Sequence, residues 1–322
     1  MKGLRGVRTA ALFVGSVVGA GFATGQEVRL FFGGDGVWSL VVASLFMAVC
    51  AFSFLSMGAR GRTLDARVTL GIDAVVSVSS FAVYAAMIAA SEELLFAFTG
   101  VRGLSLLLAL AVGVLAAGRI GWVSTINLIA VPLMTAVIVW VGVRVGQVQT
   151  GAFHPVRALA YGGMNLLFSG ALMIEEGGRL TFPERVTASV TAGIVTFLLL
   201  FFMWKCVCGT GTSSMPFLEA ATRENLGTLA SLALLLAIVT TMAGCAYLLI
   251  GRLTALTRDA TLSVTLTTLL GYLLSLLGFA PIVTYTYPTV SALGLIATVA
   301  VVGGSVVEYL ITGKKKRRIV AP

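Results

Sequence analysis

The chain alternates long apolar runs with short polar segments from one end to the other. Apolar runs of about 18 or more residues are long enough to cross the hydrocarbon core of a bilayer as α-helices. The pattern predicts ten such spans, near residues 8–32, 37–58, 72–98, 103–118, 122–144, 157–180, 187–208, 227–250, 261–279 and 289–311. The longest polar connection, near 208–227, is too short to hold a soluble domain.

Composition agrees with this pattern. Of the 322 residues, 58% are hydrophobic and 11% are charged, whereas a soluble domain carries about 25% charged residues. The mean hydropathy is +1.02. We therefore expect an all-α integral membrane protein in which residues 1–322 form a single transmembrane domain.

The net charge of +9 does not indicate nucleic-acid binding, because the basic residues are confined to short loops and the two ends. An even number of spans places both termini on one side of the membrane. Most of the 22 Lys and Arg residues fall on the side of the N-terminus. The positive-inside rule then predicts a multi-pass cell-membrane protein with both termini in the cytoplasm and a basic tail at 313–322.

The order of the spans suggests two related halves, near 1–148 and 149–312. A shift of about 150 residues places the sixth span on the first and the seventh on the second. Five spans in each half would make the second half inverted in the bilayer. Inverted halves that each begin with a glycine-interrupted span are typical of secondary transporters with a binding site at the bilayer midplane.

The first span contains an unusual stretch, "GSVVGAGFATGQE", at residues 15–27. Glycine weakens a helix interior by about 1 kcal/mol relative to alanine, and an ionisable group in hydrocarbon costs a few kcal/mol. A helix broken here would expose carbonyls that suit a cation and N–H groups that suit an anion. Close packing of small residues is the alternative, but it leaves Thr24, Gln26 and Glu27 unexplained.

This stretch resembles the first-helix motif of the amino acid–polyamine–organocation (APC) transporter superfamily. Continued through "GQE", it is similar to the YkvI-like bacterial membrane proteins. The resemblance implies the LeuT-type fold, with ten transmembrane helices in a 5+5 inverted repeat and with helices 1 and 6 broken at the midplane. In span 6, "NLLFSGALM" at 165–173 resembles the second broken helix.

The resemblance also implies a substrate site. Backbone N–H groups at residues 19–21 would bind a substrate carboxylate, Phe168 would cover the substrate, and the helix would unwind at Ser169–Gly170. Ordinary packing is the alternative for Phe168 and for Tyr84, which would close over the substrate from span 3. The expected substrate-binding residues are Gly19, Ala20, Gly21, Phe22, Thr24, Tyr84, Phe168, Ser169 and Gly170.

A coupling ion is expected beside this site. In sodium-coupled members of the fold, span-8 hydroxyls, here Thr240 and Thr241, join span-1 carbonyls, here those of Gly15 and Val18, around Na⁺. Both threonines could instead satisfy their own helix carbonyls. No other cofactor is expected. Span 5 lacks the lysine that some proton-coupled relatives place at the sodium position, which favours sodium.

The acidic residues of spans 1 and 6 allow two interpretations each. Glu27 could couple transport to protons, because desolvation favours the neutral form of a carboxylate, or it could pair with Arg29 or another outer residue in a gate. Glu175 and Glu176 end span 6 near Arg179. They could form a cytoplasmic gate with this arginine or a solvated helix end.

Together these features predict a secondary active transporter of symporter type. It would move a small solute, an amino acid or a related amine or carboxylate, by alternating access coupled to Na⁺ or H⁺. The alternative is a nutrient sensor of the same fold, like the germinant-receptor subunits of spores, that binds its ligand without transporting it. An enzyme is not expected, because no HExxH motif, nucleophile–base pair or phosphate-binding loop occurs.

Overall fold

The structure, a computed structural model, describes residues 4–61, 66–118, 121–144, 148, 150–208, 210 and 213–319. These residues form α-helices joined by short connections. The helices are α1 (Leu4–Val17), α2 (Ala20–Ala23), α3 (Gln26–Phe32), α4 (Val37–Ala59), α5 (Ala66–Thr99), α6 (Leu104–Gly118), α7 (Gly121–Arg144), α8 (Pro155–Gly177), α9 (Phe182–Val207), α10 (Pro216–Arg223), α11 (Gly227–Thr257), α12 (Ala260–Ser275) and α13 (Phe279–Ile319).

Every predicted span overlaps at least one helix. Within the described ranges, five helical segments are long and apolar enough to cross a membrane: Val37–Ala59, Leu70–Thr99, Phe182–Val207, Gly227–Thr257 and Phe279–Gly304. Shorter apolar helical segments occur at Leu104–Ala117, Pro132–Arg144 and Ala260–Ser275. The chain is therefore a multi-pass membrane protein. Its last helix, α13, continues from the predicted tenth span into the predicted basic tail, as far as Ile319.

The predicted break in span 6 is wrong in this structure, because α8 runs without interruption through Ser169 and Gly170. The Ser169 hydroxyl donates to the carbonyl of Asn165 at 2.9 Å, four residues earlier, as expected within a continuous helix. A Cβ atom at Gly170 would lie 3.1 Å from the ring of Phe54 on α4. The glycine thus allows close helix packing, and that contact explains its presence without any unwinding.

Glycines bring α8 close to two neighbouring helices. On one side, a Cβ at Gly162 would approach Phe46 of α4 to 2.6 Å, and Gly177 faces the carbonyl of Leu55. On another side, Gly163 lies against Gly294 of α13. Small residues permit such backbone approaches between membrane helices. The glycine-rich sequence of α8 therefore holds it between α4 and α13.

The helices of the two predicted halves pack across one another. The first helix, α1, packs on α9, while α4 packs on α8 and also on α9. The beginning of each predicted half therefore contacts the beginning of the other half. The first helix, α1, also contacts α8.

One helix lies in the predicted loop near 208–227. The eight residues of α10 begin with Pro216, which suits the first turn of a helix because its missing N–H would be unpaired there. Its Phe217 is fully buried, and the Phe217 N–H donates to the carbonyl of Thr24 at 3.0 Å. The connection between α9 and α11 thus folds back onto the first span.

Candidate functional site

The first span is interrupted twice. Its first interruption, Val18–Gly19, separates α1 from α2, and its second, Thr24–Gly25, separates α2 from α3. At the first interruption, the Gly19 N–H donates to the carbonyl of Val17 at 2.8 Å rather than to that of Gly15. The Gly15 carbonyl therefore lacks the partner that a continuous helix would provide.

The second interruption is held by tertiary contacts. Gly25 has a φ of +77°, which favours glycine, and its Cβ would lie 2.7 Å from Val207 of α9. The Thr24 hydroxyl donates to the carbonyl of Gly21 at 2.9 Å and accepts from the N–H of Gln26 at 3.2 Å. Because α10 also bonds to the Thr24 carbonyl, the turn is fixed from both sides.

A cavity of about 300 Å³ lies beside the first interruption. Its walls come from the first span together with α5, α8, α11 and α13. The lining residues are Gly15, Ser16, Val17, Val18, Gly19, Gly21, Glu27, Ser80, Val83, Met164, Asn165, Phe168, Thr240, Thr241, Gly244, Cys245, Leu248, Tyr287 and Val290. This volume is at the lower end of the range of about 300–1,000 Å³ that is typical of small-molecule sites.

Eight of the predicted site residues line this cavity: Gly15, Val18, Gly19, Gly21, Glu27, Phe168, Thr240 and Thr241. They come from the first span, α8 and α11, which are distant from one another in sequence. The cavity therefore gathers residues that were predicted separately as substrate-binding and as ion-coupling. Their chemical roles remain predictions.

The predicted Na⁺ ligands share one region of the cavity. A Cβ at Gly19 would lie 3.4 Å from the hydroxyl oxygen of Thr241, so the first interruption contacts α11 there. The Thr240 hydroxyl donates to the carbonyl of Ala237 at 3.0 Å, which leaves its oxygen able to accept or coordinate. Carbonyl and hydroxyl oxygens suit a hard cation such as Na⁺. The described residues contain no cluster of His, Cys, Asp and Glu for another metal.

Glu27 of α3 is buried and lines the same cavity. Only 5% of the residue is exposed, and its Oε1 has no hydrogen-bond partner within the described ranges. A Cβ at Gly21 would lie 2.7 Å from Glu27 Oε2 and 2.5 Å from the hydroxyl oxygen of Tyr287.

Other predicted substrate residues lie elsewhere. Phe22 and Thr24 are buried in the protein and hold the first span in place rather than line the cavity. The prediction that Tyr84 closes over the substrate is wrong for this cavity. The Tyr84 ring packs against Gly271 of α12, and its hydroxyl is 3.4 Å from the carbonyl of Ala109 on α6. Its neighbour Val83 faces the cavity instead, since successive helix residues point about 100° apart.

The remaining three predicted substrate residues are also accounted for. Ser169 and Gly170 are buried within continuous α8 and do not line the cavity. Ala20 begins α2, but its side chain lies outside what the structure describes. The N–H of Gly19 is engaged by Val17, so in this structure it does not face a ligand.

The predicted gate residues lie away from the cavity. Arg29 donates from Nη2 to Gln26 Oε1 at 2.6 Å. At the end of α8, Arg179 forms ion pairs with Glu175 at 3.2 Å and with Glu176 at 2.7 Å. The side chains of Arg179 and Glu175 are about two-thirds exposed, so this network is solvated in the present conformation. A gating role for it stays a prediction.

Two polar cavity residues, Asn165 and Tyr287, were not predicted from the sequence. Asn165 donates to the carbonyl of Tyr161 at 3.0 Å, in the segment of α8 that was predicted to unwind four residues later. Tyr287 lies in "TYTYP" at 284–288, where polar residues interrupt an apolar run just before Pro288. That interruption was the available signal for a functional position.

Similarity to known proteins is found at the level of the fold. No family model and no curated protein matches the sequence, so the narrower resemblance to YkvI-like proteins stays a prediction. A solved structure described as the inward-facing conformation of Mhp1 matches with a TM-score of 0.61 at 16% identity. The match covers 94% of this chain and 76% of the Mhp1 chain. The chain therefore shares the LeuT fold of Mhp1.

Proposed function

We propose that this protein is a secondary active transporter of a small, amino-acid-like solute. The observation that carries the proposal is the cavity at the first interruption, in a chain that has the LeuT fold. Irregular backbone at membrane depth is tolerated where it lines a cavity or is buried in protein. Here it does line a cavity, and that cavity has the size of a small-molecule site.

The proposed architecture has ten spans in two inverted halves. In it, α1–α3 form the first span, α4–α7 the next four, α8 and α9 the sixth and seventh, and α11–α13 the last three. Both termini would face the cytoplasm of a cell-membrane protein. The crossed packing of α1 on α9 and of α4 on α8 supports two related halves.

Alternating access would expose the cavity to each side of the membrane in turn. On the side of α3, the cavity is bordered by buried Glu27. On the opposite side, Gly244 is exposed, and a Cβ atom added to it would meet no heavy atom within 4 Å. With cytoplasmic termini, this opening faces inward, which agrees with the inward-facing state of the matched Mhp1 structure.

The driving ion is proposed to be Na⁺ or H⁺. Gly15, Val18, Thr240 and Thr241 all line the cavity, and their carbonyl and hydroxyl oxygens would be the ligands of Na⁺. Glu27 is the residue that would carry a proton. A gradient of either ion, imposed alone across proteoliposomes, distinguishes these two forms of coupling.

Solute counterflow tests the proposed function. Purified protein is reconstituted into proteoliposomes loaded with an unlabelled amino-acid mixture, and labelled amino acids are added outside. A transporter produces transient accumulation of at least one label, and empty liposomes do not. Ligand-induced thermal stabilisation without counterflow would contradict transport and favour the sensor alternative, because a ligand well above its dissociation constant stabilises any protein that binds it.

A further inference from the structure

The titratable side chains that line the cavity bear on the charge of its ligand. Glu27 is its only acidic lining residue, and no Lys, Arg or His appears among the lining residues that the structure describes. Nearby Arg29 does not line the cavity, and its Nη2 donates to Gln26 Oε1. Because a buried carboxylate is stabilised by a cation or by donors, the cavity favours a positively charged ligand group over a negatively charged one.

The surroundings of Glu27 are those of a donor-binding site. Glu27 Oε1 is buried and has no hydrogen-bond partner within the described parts of the chain. The Tyr287 hydroxyl and Asn165 also border the cavity here. These groups together offer several acceptors to a ligand with more than one N–H.

The same position disfavours a carboxylate. Glu27 Oε2 lies 2.7 Å from the place where a Gly21 Cβ would stand, so a ligand carboxylate beside Gly21 would lie against the Glu27 carboxyl group, whose ionised form repels it. This arrangement differs from the sequence-based expectation that the backbone at residues 19–21 binds a substrate carboxylate. The N–H of Gly19 is also bonded to Val17 in this structure.

The walls beside Glu27 suit an organic cation better than a bare ion. Val83, Met164, Phe168 and Val290 line the cavity and can contact alkyl or aromatic groups. Aromatic faces also attract ammonium groups. A volume of about 300 Å³ holds a small organic molecule, whereas an inorganic cation alone would leave these apolar walls unused.

From this arrangement we propose that Glu27, with Asn165 and Tyr287, binds the ammonium group of the transported solute. The substrate class is therefore a small primary amine, with or without a carboxylate. That the solute is transported rests on the proposed function, whereas the amine-binding site is argued from the geometry alone. It makes Glu27 a ligand of the solute rather than half of a gate with Arg29.

The test compares four compounds on one carbon skeleton: leucine, leucinamide, isoamylamine and N-acetylleucine. Full-length purified protein is titrated with each, and thermal stabilisation gives the apparent affinity. The same four-member series is repeated on the alanine and phenylalanine skeletons. The three compounds with a free amine should stabilise the protein in at least one series, and the N-acetylated compound, which has lost the cation, should not.

Two variants test whether amine binding depends on Glu27. Glu27→Gln keeps the shape and removes the charge, and we expect about a tenfold or greater loss of affinity for amines. Glu93→Gln is the matched control, because Glu93 is exposed and bonds Ser214 away from this cavity. If Glu27→Gln fails to fold, Glu27→Asp and the wild-type series still decide the question, since acetylation alone removes the ammonium group.

Three outcomes would overturn the inference: equal binding of acetylated and free-amine compounds, unchanged amine affinity in Glu27→Gln, or no stabilisation by any amine in the three series. A failure of the proposed transport function can be distinguished from a failure of the amine-binding inference. Amine binding that depends on Glu27, without counterflow, would contradict transport but support the amine site. Counterflow of N-acetylated solutes alone would support transport and contradict the amine site.

Discussion

At the scale of single residues, Gly21 is the position where the cavity, the buried carboxylate and Tyr287 meet. A Cβ here would fall 2.5 Å from the Tyr287 hydroxyl oxygen and 2.7 Å from Glu27 Oε2. Real side chains do not approach so closely, so any larger residue would displace these groups or fill the space between them. The absence of a side chain at Gly21 is therefore a requirement of the site.

We expect Gly21→Leu to abolish solute uptake while the protein still inserts into the membrane, because leucine would occupy the cavity beside Glu27. Uptake into proteoliposomes and the yield of monodisperse purified protein are the two measurements. Gly251→Leu is the control, because Gly251 is exposed on α11 with open space around it. Uptake by Gly21→Leu at the level of this control would show that Gly21 does not border the solute.

Thr241 offers a second single-residue test, directed at the coupling ion. If Na⁺ drives uptake, Thr241→Val should reduce sodium-driven uptake about tenfold or more, because it replaces a proposed oxygen ligand by a methyl group. Thr241→Ser keeps the hydroxyl and should retain most activity. Uptake driven by a pH gradient alone and unaffected by Thr241→Val would contradict sodium coupling.

At the scale of helices, two glycines with similar surroundings in the sequence have different structural roles. Gly25 forms a turn with positive φ, whereas Gly170 lies within continuous α8 and faces Phe54. The conformation of Gly25 disfavours any side chain, while the helical conformation of Gly170 accepts one if Phe54 shifts by a few tenths of an ångström.

We expect Gly25→Ala to lower the free energy of unfolding by about 1–3 kcal/mol, from the positive φ and the contact with Val207. Gly170→Ala should cost less, because alanine favours a helix and the atoms nearest to its Cβ all belong to the Phe54 ring. Thermal unfolding of the two purified variants compares them directly. A larger loss in Gly170→Ala would indicate that α8 is unwound there after all.

The first span and α8 also show what the sequence could predict. In the first span, polar Thr24, Gln26 and Glu27 follow the glycines directly, and packing alone does not require them, so an interruption was predictable. In α8, Ser169 and Gly170 have the same small size, but their role depends on how close α4 approaches. That distance is a tertiary property, and no local pattern reports it.

The rotation of each helix about its axis was equally unpredictable. Tyr84 was expected in the site, but Val83 and Ser80 face the cavity while Tyr84 faces α6 and α12. Tyr287 and Asn165 were missed for the same reason. Residue type identified the segments that form the cavity. Which residue of each segment lines the cavity depends on how the helices pack, and here the helices are similarly apolar on all sides, so the sequence does not report it.

At the scale of the whole molecule, the proposed inward opening lies near Gly244, which lines the cavity and is exposed. In a variant without the four native cysteines, we expect Gly244→Cys to react with a membrane-impermeant thiol reagent from the cytoplasmic side only. Bound solute should slow this reaction. Ala59→Cys and Val101→Cys, both exposed, are the controls for the cytoplasmic and the external side.

Labelling of Gly244→Cys from the external side, with Ala59→Cys labelled from the cytoplasm, would contradict the inward opening. Labelling of Ala59→Cys from outside would instead contradict the orientation of the whole protein. The two errors are thus separable, because the positive-inside assignment and the shape of the cavity are tested at different residues.

The central claim is that the interrupted first span binds the transported solute. An electron cryomicroscopy structure of the protein with the amine that stabilises it most would test this claim most directly. We expect solute density between the first interruption, Glu27 and α11, with α1 and α2 still separated at Val18–Gly19. A continuous helix through residues 15–27, or solute density elsewhere with an empty cavity, would contradict the claim.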